Sequence, residues 1–292
     1  MSSSMVVAEH LSKSFGTKRV LDDISFTVDT GDVVGVLGKN GAGKSTLLEL
    51  ILGFTPASAG RVQILGHDTC KMPGAVKARI GFVPQSDELI DQITAREQLR
   101  IIGSFYANWE GEWLEHLSSD WELNLDQRVR EMSVGQRQKL SILLALGHRP
   151  DLLLLDEPVA SLDPLARRQF LEQIVAVAAD GKRSVVFSSH IVSDIERLAN
   201  KIWILKSGHL YWRGGLDDLK ESIVRIHVRR AAPFPNDFRI ESAFSQSVSG
   251  THVTAVVCGW NEQRYRDIAR SIDGDIEVEP LALEEIFVEL HR

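Results

Sequence analysis

Gly38-Lys39-Asn40-Gly41-Ala42-Gly43-Lys44-Ser45-Thr46 gathers the residue types that can hold a phosphate chain. Gly38, Gly41 and Gly43 let backbone N–H groups turn inward and approach phosphate oxygens with no Cβ in the way. Lys44 has the reach to meet β- and γ-phosphates, and the Ser45 hydroxyl can ligate Mg²⁺. Asn40 and Thr46 complete the loop. The run follows apolar Val33–Leu37 and leads into Leu47–Leu52. Strand, glycine loop, Lys-Ser and helix is the order this chemistry needs, because the positive end of the helix dipole then faces the same anion.

A second group of reactive residues stands at 152–157. Four leucines precede Asp156 and Glu157. In a parallel sheet, strand C-termini face the ligand crevice. Asp156 at such an end can hold Mg²⁺, and Glu157 can polarise a water that attacks the γ-phosphate. Read alone, the Asp-Glu pair could simply cap the next segment.

The elements that must position these groups can be read around them. Val6–Val28 alternates like an antiparallel strand pair with a turn at Lys13–Lys18. Short apolar strands are expected at 60–66, 79–84, 152–156, 184–187 and 202–205, with helices near Pro164–Ala179 and Ile191–Leu198. Between Ser86 and Pro150 strand patterns vanish, and helical spacing appears at Gln92–Phe105, Trp109–Leu117 and Val134–Leu146. The expected fold is α/β, with a mostly parallel sheet covered on both faces, an antiparallel β subdomain and a helical insertion at about 86–150. The pattern shifts again after Gly214-Gly215. Residues 216–292 read as a small α+β accessory domain, with strands near 223–229, 252–258 and 276–279 and helices near 261–272 and 283–290.

The chain has 292 residues and a net charge of −7, which does not favour a nucleic-acid partner. Cys70 and Cys258 are its two cysteines. They lack metal-ligand spacing and fit a reducing cytoplasm. No apolar run is long enough to span a bilayer, and Met1–Met5 lacks the pattern of a secretion signal.

Taken in order, these motifs resemble the ATPase subunit of ATP-binding cassette (ABC) transporters over roughly 1–215. The resemblance implies a P-loop NTPase fold, ATP and Mg²⁺ as ligands, and a role for each matching residue. Gln85 is similar to the glutamine that contacts Mg²⁺ and the attacking water and links the sheet to the insertion. Met132-Ser133-Val134-Gly135-Gln136 resembles the family signature, and Ser133, Gly135 and Gln136 keep its hydroxyl, close backbone approach and helix start. Val134 stands where glycine is usual, which is tolerable only if the backbone there is ordinary helix-start geometry. Asp156 and Glu157 match the metal-holding aspartate and catalytic glutamate. Ser161-Leu162-Asp163 matches the loop that follows, and could equally cap a helix at Pro164. His190 matches the histidine at the γ-phosphate. Phe15 matches the aromatic that stacks on adenine, or is hairpin core.

The resemblance further implies that a second copy, or a homologous subunit, pairs head to tail so that each signature closes over the other's ATP. It implies a separate transmembrane permease, and hence a place on the cytoplasmic face of the membrane. Trp109 and Trp113, at i and i+4, are either local core or an exposed docking patch for that partner. Gly215–Leu219 and Leu283–Phe287 resemble stretches of exporter-type subunits. Competing readings are a soluble ABC ATPase of repair or translation, and a regulator that clamps nucleotide without turnover.

Overall fold

The computed structural model describes residues 4–291 except 160, 161, 180, 236, 242 and 273. It divides into two compact units, Met1–Arg213 and Gly214–Arg292. The strands of the first unit are β1 (Ser4–Phe15), β2 (Lys18–Asp29), β3 (Val33–Leu37), β4 (Ala59–Ile64), β5 (His67–Asp68), β6 (Ile80–Val83), β7 (Leu152–Asp156), β8 (Ser184–Ser188), β9 (Lys201–Lys206) and β10 (His209–Gly215). Its helices are α1 (Lys44–Leu52), α2 (Gly74–Lys77), α3 (Ala95–Gly103), α4 (Gly111–Asp120), α5 (Val134–Leu146), α6 (Pro164–Ala178) and α7 (Val192–Leu198).

The central sheet has the order β10-β9-β3-β8-β7-β6. Strands β9, β3, β8, β7 and β6 run parallel. Every residue of β3, β7 and β8 is buried, as a sheet covered on both faces requires. Parallel strands end on a common edge. Val36 is in register with Ser188, Ser188 with Asp156, and Leu155 with Val83. The segments that follow these strands carry Gly38–Gly43, His190, Glu157 and Gln85, so one edge of the sheet gathers all four.

A second, antiparallel sheet, β2-β1-β4-β5, packs on this one through a shared core. Leu11, Leu21, Phe26, Leu47, Ile51 and Trp203 belong to it, with the rings of Phe26 and Trp203 4.4 Å apart. Each such side chain contributes about 1.5–3 kcal/mol on burial.

Helices α3 to α5 lie between β6 and β7. α3 starts at Ala95 rather than Gln92 because Thr94 and Glu97 form a reciprocal cap. α4 starts at Gly111 rather than Trp109 because Glu110, with φ −89° and ψ +59°, stands outside helical geometry as the N-cap, its N–H bonded to Gly147 O at 2.9 Å. The Trp109 ring packs so closely on Gly103 and Gly147 that a Cβ on either would meet it within 2.7 Å. Trp113 lies 3.9 Å beneath the Arg149 guanidinium, and Trp121 is buried. Trp121 is local core, whereas Trp109 and Trp113 are half-buried and packed against their own subdomain.

The second unit runs α8 (Leu216–Ser222), β11 (Ile223–Arg229), β12 (Ala243–Ser249), β13 (His252–Cys258), α9 (Glu262–Ile272), β14 (Asp275–Pro280) and α10 (Leu283–Leu290). Its antiparallel sheet has the order β12-β13-β11-β14. Strand β12 was not expected from the sequence. Three of its seven residues are serine, and it forms through its ladder with β13 rather than through propensity.

Candidate nucleotide site

The turn from β3 into α1 needs its glycines. Gly41 and Gly43 adopt φ of +78° and +105°, the left-handed region that side chains disfavour. A Cβ on Gly38 would stand 2.8 Å from Leu205 O. Wound this way, the turn and the start of α1 line a cavity of about 320 Å³ through Asn40, Gly41, Gly43, Lys44, Ser45 and Thr46. Gln85 and Glu157 border the same space, and so do Lys18 and Val20 of β2.

Lys44 is buried and its ammonium group is held on two sides. It donates to Gly38 O at 3.0 Å and lies 3.3 Å from Glu157 Oε1, with both side chains only 7% exposed. A buried cation needs such pairing. Glu157 itself has φ +49°, an uncommon backbone for a non-glycine residue that costs about 1 kcal/mol or more. Ser188 helps to hold it there. Its hydroxyl oxygen accepts the Glu157 N–H at 2.9 Å while its proton goes to Asp156 Oδ1 at 2.6 Å. One buried hydroxyl thus fixes both carboxylate residues. Sequence reasoning passed over Ser188; the available signal was a hydroxyl at the strand end in register with Asp156.

His190 donates from its backbone N–H and from Nδ1 to Glu157 Oε2, at 3.2 and 2.6 Å. Because a carboxylate only accepts, the proton resides on Nδ1 and Nε2 is left for another group. The imidazole is 54% exposed, so it can meet something entering from solvent.

Ser45, Gln85 and Asp156 border an adjoining groove of about 500 Å³, and Ser45 and Gln85 line the phosphate cavity as well. Three neutral or anionic oxygen donors fit a hard divalent cation that keeps most of its shell for water and phosphate. No cluster of three or more His, Cys, Asp or Glu suited to a metal occurs among the described residues.

Phe15 ends β1 opposite Lys18, one of the cavity-lining residues, and is 51% exposed. It is not hairpin core. The Lys13 ammonium sits 4.8 Å from its ring centroid.

Ser133 caps α5. It accepts the Gln136 N–H at 3.2 Å and returns its own N–H to Gln136 Oε1 at 2.8 Å. Val134 is the first helical residue and 65% exposed, and it is not among the residues with positive φ. A valine is therefore unstrained where glycine is usual. None of Ser133, Gly135 or Gln136 lines the phosphate cavity of its own chain. Asp163 caps α6, accepting from Leu165 N and Ala166 N at 2.9 and 3.0 Å. The Ala166 N–H above all holds its carboxyl below the ordinary carboxylate value, with burial opposing. Ser161 lies outside the described residues.

Residues 21–160 match the family model described as ABC transporter. The ABC transporter ATP-binding protein YtrB of Bacillus subtilis (strain 168) is 30% identical over 285 residues, 97% of each chain. The chain belongs to the ABC transporter family. It is an ATP-binding and ATP-hydrolysing subunit with the family's α/β cassette fold. The Nod factor export ATP-binding protein I of Rhizobium meliloti (strain 1021) is 37% identical, over 68% of this chain and 61% of that one. A dimeric structure of a post-hydrolysis ATP-binding cassette bound to ADP and Pi is similar at 27% identity and a TM-score of 0.64. The match covers 73% of this chain and 99% of that one.

Proposed function

We propose that two copies of this chain sandwich two ATP molecules head to tail, and that hydrolysis lets the copies part and drives a separate permease. The observation that carries this is the division of the site. The chain supplies the cradle, Gln85 and Glu157 to one cavity, with His190 bonded to Glu157, yet its self-capped Ser133 turn contributes nothing to that cavity. A second copy's turn would complete it.

In this reading Lys44 and the glycine-loop N–H groups bind the phosphates, Phe15 stacks on adenine, and Asp163 lies beside the nucleotide. Mg²⁺, held by Ser45, Gln85 and Asp156, would neutralise charge on the phosphates. Glu157 orients the attacking water and takes its proton. His190, protonated on both ring nitrogens, donates from Nε2 to the γ-phosphate, and Ser133, Gly135 and Gln136 of the twin close over it. The protein's part is positioning and charge stabilisation, as phosphoryl transfer requires.

Residues 1–215 are the ATPase domain in this proposal, and 216–292 an accessory domain. No helix among the described residues is long and apolar enough to cross a membrane, so a permease would bring the subunit to the cytoplasmic face. The Phe54, Phe82 and Ile102 side chains around the groove beside Gln85 suit a permease helix. Similarity to a Nod factor export protein favours export. The test is ATP hydrolysis by wild type, Glu157→Gln and Ser133→Arg. Both variants should bind ATP and lose hydrolysis; equal rates would overturn the proposal.

A further inference from the structure

Gln85 borders both the phosphate cavity and the groove beside it. Two residues further on, Asp87 takes a two-pronged bond from Arg137: Nε to Oδ2 at 2.9 Å and Nη2 to Oδ1 at 2.5 Å. Nη1 of the same guanidinium donates to Asp91 Oδ1 at 2.6 Å and to Val129 O at 3.2 Å. Arg137 is the fourth residue of α5, and its own N–H donates to Ser133 O at 2.9 Å. The guanidinium therefore ties together the segment after Gln85, the segment before α3 and the turn before the signature, and the backbone N–H of the same residue, through the first bond of the helix, holds the residue that caps α5. A lysine, with a single point charge, could not make this fork.

Anchoring α5 does not require it. Leu140, Ile142, Leu143, Ala145 and Leu146 already bury that helix. The clasp acts instead on its first turn, where position rather than stability is at stake. The Asp87 and Arg137 side chains are 18% and 20% exposed, so water weakens the pair less than it would a surface bridge.

We propose that Arg137 is a positioning residue that makes the Gln85 segment and the Ser133 turn move as one body. What engages Gln85 in one subunit then sets where Ser133 sits over the other subunit's phosphate. The inference rests on the two-copy sandwich and adds the route by which its two sites sense each other.

The test uses the full chain and compares wild type with Arg137→Gln, Asp87→Asn, the double variant and Ser133→Arg. Hydrolysis is followed against ATP concentration, binding by a fluorescent ATP analogue, and folding by thermal melting. Wild type should show a Hill coefficient above 1. Arg137→Gln and Asp87→Asn should bind the analogue within about twofold of wild type, yet lose about tenfold to a hundredfold in kcat, the size expected of a misplaced group. Their Hill coefficients should fall to about 1. The double variant should be no worse than the poorer single, as for two ends of one link.

A wild-type coefficient of 1, variant rates within about twofold of wild type, or losses that multiply in the double variant would each overturn the proposal. If Arg137→Gln does not fold, Asp87→Asn decides, since it leaves Arg137 its bond to Asp91. Active Ser133→Arg would refute the sandwich itself. Inactive Ser133→Arg beside Asp87→Asn of normal rate and cooperativity would refute only the link.

Discussion

The phosphate cradle and the Ser133 turn are both helix starts fitted to meet an anion, and they are built in opposite ways. The cradle is enclosed and cross-braced. Lys44, Glu157, Ser188 and Asp156 are buried and bonded to one another across α1, β7 and β8. The Ser133 turn is open, and its capping bonds run between its own Ser133 and Gln136. A buried network is rigid and can serve a ligand that enters its cavity, whereas an exposed self-capped turn keeps its shape while it waits for a second chain. The contrast says that the cradle is finished within the chain and the turn is one half of a contact.

Substitutions should therefore separate into binding and turnover. The largest effect should come from Lys44→Ala, which removes the buried cation. Affinity for an ATP analogue should fall about a hundredfold, because charge-assisted bonds to the phosphates are lost; unchanged affinity would break the comparison. Glu157→Gln keeps the shape and removes the base, so kcat should drop about 10²- to 10⁴-fold with binding retained. Ser188→Ala removes the donor to Asp156 and the acceptor for Glu157 N–H, two bonds worth about 1 kcal/mol each. Its kcat should fall about tenfold with little change in analogue affinity.

The clasp at Asp87 gives a smaller effect with a definite sign. The folded carboxyl titrates below its ordinary 3.8, chiefly through the Arg137 bond. Its stabilisation is present above 3.8 and disappears as pH falls through the lower, folded value. The melting advantage of wild type over Asp87→Asn should therefore shrink on acidification below that point. Smallest of all is Val134→Gly. The backbone is already helical there, so hydrolysis should stay within about twofold of wild type and stability should fall by about 1 kcal/mol or less.

Much of this was legible in the sequence because the key elements carry local signals. The glycine turn demands particular residues, and beside it four leucines before two carboxylates read as a buried strand end. α5 at Val134–Leu146 was bounded by its apolar spacing. What escaped was set by partners far along the chain. The left-handed Glu157, the double bond from Ser188 and the Arg137 fork to Asp87, fifty residues away, leave no local trace. Strand β12 exists because β13 offers it a ladder. The start of α4 lies two residues later than its apolar spacing suggested, because Glu110 takes a non-helical backbone against Gly147.

The central claim, that the Ser133 turn is completed by a twin's phosphate, is tested most directly by the mass of Glu157→Gln in solution at saturating ATP and Mg²⁺. The account predicts that the 32.5 kDa chain doubles its mass with ATP and returns to a single chain with ADP. A chain that remains single at every ATP concentration would contradict it.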